Sequence, residues 1–175
     1  MIRTALIFGV LIVAVVALLP KGHHAKDPAQ AIDYAGELQI VRNRAPFPVV
    51  APEGLDSTWT PTHVTIAVPQ NGSTVTTFDI GFYVSTPNAY VNLEQSDAPD
   101  WITKQLGVTA HQTGSTQVTA GSEAVSYLTW TDSDGHPAFT RTLGSSTIVI
   151  RGVASDAVLR TFAASLRSPS GHASG

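Results

Sequence analysis

The sequence contains no cysteine. That excludes disulfides, thiolate metal sites, a cysteine nucleophile and a lipidated-cysteine anchor, so any attachment to an envelope must come from the peptide itself. Charge is also sparse: 13% of residues are Asp, Glu, Lys or Arg, about half the roughly 25% of an ordinary soluble domain. What positive charge there is gathers early, at Arg3, Lys21, Lys26, Arg42 and Arg44. From Ala45 onward five basic residues (Lys104, Arg141, Arg151, Arg160, Arg167) stand against ten acidic ones, a balance of −5, which argues against a nucleic-acid partner held by a basic face. Also missing are a repeat of 20–50 residues, the phosphate-cradling G-x-G-x-x-G and G-x-x-x-x-G-K-[ST] patterns, and a G-x-S-x-G nucleophile elbow. No catalytic residue, metal site or cofactor is assigned.

What the sequence does have is one long apolar run, Ala5 to Leu19 (ALIFGVLIVAVVALL), between Arg3 and Lys21. A soluble helix carries a polar face at 3.6-residue spacing, and this run has none. Ala5, Leu6, Ile7, Phe8, Leu11, Ile12, Val13, Val15, Val16, Leu18 and Leu19 are expected to face lipid as a membrane anchor. At 1.5 Å per residue the run spans roughly 23 Å, short of a ~30 Å hydrocarbon core, and Arg3 and Lys21 can snorkel to make up the difference. The competing reading is a cleaved signal peptide, but the flank Pro20-Lys21-Gly22-His23-His24-Ala25 offers no pair of small residues for cleavage. Flanking charge does not decide orientation; the short N-terminus implies a cytoplasmic N-terminus and an extracytoplasmic C-terminal domain.

The 175 residues fit one domain plus an appendage. Asp27-Pro28 suits a helix start, and Tyr34, Leu38 and Val41 form an i, i+4, i+7 stripe. Ala45 to Pro52 is too proline-dense for a helix or a central strand and should be extended. Residues 1–21 are therefore assigned to the anchor, 22–52 to a juxtamembrane spacer helix and stiff linker, 53–167 to the extracytoplasmic domain and 168–175 to a disordered Ser/Gly/Pro-rich tail.

Within the domain the period becomes two. Thr62, Val64, Ile66 and Val68 share one strand face, and Phe78, Ile80, Phe82 and Val84 another, with an Asn71-Gly72 turn between them. Ala89 to Gln95 gives a third strand. Asp97-Ala98-Pro99 opens a helix of about three turns that Gly107 closes. Further strands are expected at 115–119, 123–130, 137–143 and 147–151, and a helix capped by Ser155 with the stripe Val158, Leu159, Phe162, Ala163 and Leu166. The fold class is α+β: one antiparallel sheet of six to seven strands with the helices covering a face.

The densest polar cluster is Glu94-Gln95-Ser96-Asp97 with Asp100, where a strand passes into a helix. Two carboxylates there suit acid–base work or a cation, although Asp97 also suits a helix cap and Asp100 a first helical turn. Asp132-Ser133-Asp134-Gly135 has the start of a calcium loop, but its glycine comes too early and no Glu follows, so it reads as a hairpin turn. The histidines His63, His111, His136 and His172 are isolated in sequence, and His23-His24 lies beside the anchor.

The order of the anchor, Ala51-Pro52-Glu53-Gly54-Leu55 with Trp59, Ile80-Gly81-Phe82, Tyr90-Val91-Asn92-Leu93-Glu94-Gln95-Ser96-Asp97 and the Leu159–Leu166 helix resembles the domain-of-unknown-function 4245 family of actinobacterial single-pass membrane proteins. The resemblance implies a single-pass envelope protein and brings no activity with it. Three functions are carried forward. The first is non-enzymatic binding of an envelope component or protein partner through Glu94, Gln95, Asp97 and Trp101. The second is an envelope hydrolase or transferase using Glu94, Asp97 or a histidine such as His111, and the third is a structural spacer.

Overall fold

The computed structural model describes residues 31–69, 72 and 74–168. The apolar run Ala5–Leu19, the Asp27-Pro28 helix start, Asn71 of the first turn and the tail from residue 169 lie outside the described residues. Among the described residues no helix is long and apolar enough to cross a membrane.

Period-two patterning produces the sheet. Strands β2 (Trp59–Ala67), β3 (Thr77–Val84), β4 (Ala89–Ser96), β5 (His111–Ala120), β6 (Glu123–Thr131), β7 (Pro137–Leu143) and β8 (Ser146–Arg151) form seven antiparallel strands in the order β2-β3-β4-β8-β7-β6-β5. The expected apolar rows meet in register, with Val64 opposite Ile80 and Ile66 opposite Phe78. A separate two-stranded clasp pairs β1 (Ala51–Pro52) with β9 (Leu166–Arg167), joining the entry of the domain to its end.

Among the described residues three helices accompany the sheet, and they do not share a face as expected. Helix α1 (Ala35–Arg44) and helix α3 (Asp156–Ser165) contribute Val41, Leu159, Phe162 and Ala163 to a core with Phe78, Ile80, Phe82, Leu93, Phe139, Ile148 and Ile150. Phe162 is central to it, stacked on Trp59 at 5.5 Å and tilted against Phe82 at 5.4 Å. Ser155 caps α3 as expected, its side chain accepting from the Val158 N–H. Helix α2 (Trp101–Leu106) lies on the other side, where Leu106 packs with Ala138, Val149, Trp101, Ile102 and Trp130. The physical reason is alternation: Phe139 and Ile150 point into the main core while their neighbours Ala138 and Val149 point away. Both sides of the central strands are apolar, so each takes a helix.

The segment expected to be a linker is packed into the domain. Val41, Phe47, Val49, Val50 and Ala51 are all buried, and the Ile32 N–H donates to the Pro61 carbonyl. The packed unit thus begins well before the boundary expected at Glu53. Residues 45–50 stay out of a regular strand and only Ala51–Pro52 pair with β9, but the apolar side chains between the prolines gain roughly 1.5–3 kcal/mol each on burial, and one core side chain bonds two of the segment's backbone groups. That side chain is Gln95, fully buried, whose Nε2 donates to the Pro48 carbonyl (2.6 Å) and Ser146 Oγ (2.8 Å) while its Oε1 accepts from the Val50 N–H (3.2 Å).

Replacing Gln95 by Leu strands the Val50 donor and the Pro48 acceptor in the core. Gln95→Leu is expected to lower unfolding free energy by roughly 2–4 kcal/mol, measured by chemical denaturation, with residues 45–52 released first in hydrogen exchange.

Candidate functional site on the α2 face

The residues Glu94 to Trp101 leave strand β4 on the α2 side of the sheet. Alternation divides Glu94 from Gln95: Glu94 faces α2, and Gln95 faces the main core and takes the structural role just described. Ser96 then ends the strand, its hydroxyl donating to the Thr76 carbonyl and accepting from the Ala98 N–H. The chain turns through Pro99 and a left-handed Asp100 (φ 57°) directly into α2.

Helix α2 has six residues rather than three turns, and neither acidic residue caps it: Asp100 holds the N-cap position without a side-chain bond, and Asp97 lies outside the helix. Gly107 stops the helix as expected. Its φ of +87° favours glycine, and a Cβ there would lie 2.1 Å from Ser133 Oγ. The Ser133 N–H donates to the Leu106 carbonyl, and both the N–H and hydroxyl of Thr109 donate to Ser133 Oγ, so the β6–β7 turn fixes the end of α2.

Beside α2 lies a groove of about 540 Å³ walled by Trp101 and Trp130, with Asp97, Asp100, Val108 and Thr147 among its lining. Asp97 and Asp100 are exposed, and their carboxylates make no hydrogen bond or ion pair among the described residues. Trp130 is held by its Nε1 donating to Thr140 Oγ1 at 2.9 Å. Trp101 Nε1 is buried and has no hydrogen-bond partner among the described residues. Val108, just past the helix, is 88% exposed on the rim. Aromatic walls with an apolar lip and two unspent carboxylates form a surface that can take a ligand having both apolar and hydrogen-bond-donating parts.

On the other flank of α2 a charged row crosses the strands. Arg151 Nε donates to both carboxylate oxygens of Glu94 (3.0 and 3.2 Å), and its NH2 reaches Glu94 Oε1 at 2.9 Å and Gln105 Oε1 of α2 at 3.3 Å. Next along the row Asp79, opposite Glu94 across β3 and β4, lies 3.4 Å from His63 Nε2. The His63 ring occupies the space above Gly81, where an added Cβ would come within 2.0 Å of its Cε1. Burial is the largest influence on both carboxyls and pushes each above the usual carboxylate range, more than Arg151 lowers Glu94 or His63 lowers Asp79. Arg151 thus orients Glu94 without fully offsetting its desolvation.

The structure therefore gathers Asp97 and Trp101 in the groove, sets Glu94 in the adjoining row, and sends Gln95 to the opposite face. Trp130, His63, Asp79 and Arg151 complete this face. His63 and Asp79 are far apart in the chain, and the polar alternation of the β2–β3 hairpin was their only signal. At the β6–β7 turn Asp132 Oδ1 accepts from the N–H groups of Asp134 and His136, as a hairpin turn requires. One ligand atom from each of these three residues lies within 4.8 Å of the others. His111, at the exposed start of β5, meets neither Glu94 nor Asp97.

A carboxyl whose folded pKa is raised stabilises the fold fully below its unfolded value and loses that contribution as pH rises toward the folded value. For Asp79 the loss begins near 3.8. Asp79→Asn should accordingly flatten the fall of unfolding free energy with rising pH above about 4, measured by urea denaturation of wild type and variant across pH 3–7. An unchanged slope would contradict the assignment.

The profile of the family described as "Protein of unknown function (DUF4245)" matches residues 1–166. No curated protein and no solved structure matches the chain. Matched over nearly its whole length, the chain belongs to the DUF4245 family.

Proposed function

We propose that this chain is a single-pass, membrane-anchored extracytoplasmic domain of an actinobacterial envelope that binds an envelope component or protein partner, without catalysis, through the groove beside α2. The single observation that carries the binding reading is the groove itself, where Trp101 and Trp130 form walls and the carboxylates of Asp97 and Asp100 are left unspent by capping or pairing. Buried aromatic anchors ringed by polar groups are the usual source of binding energy at interfaces. The uninterrupted Ala5–Leu19 run supports the anchor, with the N-terminus cytoplasmic. A hydrolase or transferase centred on Glu94 draws less support, because Arg151 takes both of its oxygens.

The test uses the full chain in cells, with a photo-crosslinking residue at Val108. The expected outcome is a discrete higher-mass adduct that Asp97→Asn and Trp101→Ala each reduce about tenfold or more, the loss of one interfacial hot spot, with little change in melting temperature for Asp97→Asn. External protease on intact cells should remove the domain. A domain that stays protected sinks the topology, and an adduct indifferent to both substitutions sinks the site.

A further inference from the structure

A second recess lies on the main-core face, away from α2. It has a volume of about 450 Å³, and Arg141, Arg167, Ser122, Val50 and Leu166 contribute to its lining together with Glu123. From Ala45 onward the chain has only five basic residues against ten acidic ones. Arg151 is paired with Glu94 and Arg160 with Asp156, and Lys104 is exposed on α2. Arg141 and Arg167 have no ion pair among the described residues, and both line this one recess. With Glu123 on the same lining, the two guanidiniums leave the hollow a net positive charge in a domain that is otherwise acidic.

Both guanidiniums also rest against defined neighbours. The Arg141 guanidinium lies 6.0 Å from the centroid of the Tyr127 ring, within cation–π range. Arg167 NH1 donates to the Ala164 and Leu166 carbonyls at the end of α3, and the rest of its guanidinium lies against Gly121, 3.6–3.8 Å from where a Cβ would stand. The tether occupies one nitrogen and leaves Nε and NH2 as donors. Held guanidinium forks lose little entropy on meeting an oxyanion. The recess is much larger than one such group, and Val50 and Leu166 give it an apolar part.

We propose that this recess binds an oxyanion, phosphate or carboxylate, carried on a small organic ligand, through Arg141 and Arg167, independently of the α2 groove. The full chain in neutral detergent would be melted at fixed ionic strength in rising glycerol 1-phosphate, succinate or, as the uncharged control, glycerol. The expected result is a saturable rise in melting temperature with at least one anion and not with glycerol; which anion acts separates a phosphate ligand from a carboxylate one. Arg141→Gln and Arg167→Gln should each weaken the apparent affinity about tenfold, and Glu123→Gln should preserve or strengthen it. Should a glutamine variant fail to fold, Arg141→Lys and Arg167→Lys keep the charge but lose the fork, and should also bind more weakly. No saturable rise, or the same rise in wild type and arginine variants, overturns the proposal.

Discussion

Glu94 and Arg151 form the contact on which the α2 face depends. Glu94 is 3% exposed on a central strand and would be an uncompensated buried charge without the guanidinium. Having drawn Arg151 in, it also places that side chain within reach of Gln105 on α2. A six-residue helix has too few internal hydrogen bonds to hold itself. It is kept in place by Leu106 in its small apolar cluster, by Ser133 at its end, and by this ion pair on its flank. The groove between Trp101 and Trp130 exists because α2 sits there.

Strand β4 shows how one short sequence serves two faces. Its polar neighbours Glu94 and Gln95 are both buried, and alternation sends them in opposite directions. Gln95 ties the chain entrance at Pro48 and Val50 to Ser146, and Glu94 ties α2 to β8 through Arg151. The raised pKa of Glu94 fits this division of labour: desolvation outweighs the ion pair, so the pair contributes position more than net stability.

The strands were legible because apolar side chains recur at every second position; the 137–143 strand was read from sequence with the boundaries that β7 has. Ser155 and Gly107 were equally legible, since a helix cap and a helix stop each need particular residues. The side taken by α2 was not, because Trp101, Ile102 and Leu106 give too short a stripe to identify the strand neighbours that receive them. Prolines concealed the packing of residues 45–52, which rests on a glutamine about 45 residues downstream. Asp97 and Trp101 were found from local polarity and aromatic content. Their neighbours Trp130, His63 and Arg151 join this face only through strand pairing, which composition does not encode.

Hydrogen exchange on Glu94→Gln tests this dependence most directly, because the substitution keeps the shape of the side chain and removes its charge. The account predicts faster exchange at the Lys104 and Gly107 amides, which donate to the Asp100 and Thr103 carbonyls within and after α2, while amides pairing β2 with β3 keep their protection. Unchanged exchange at α2, or an equal loss of protection across the whole sheet, would contradict it.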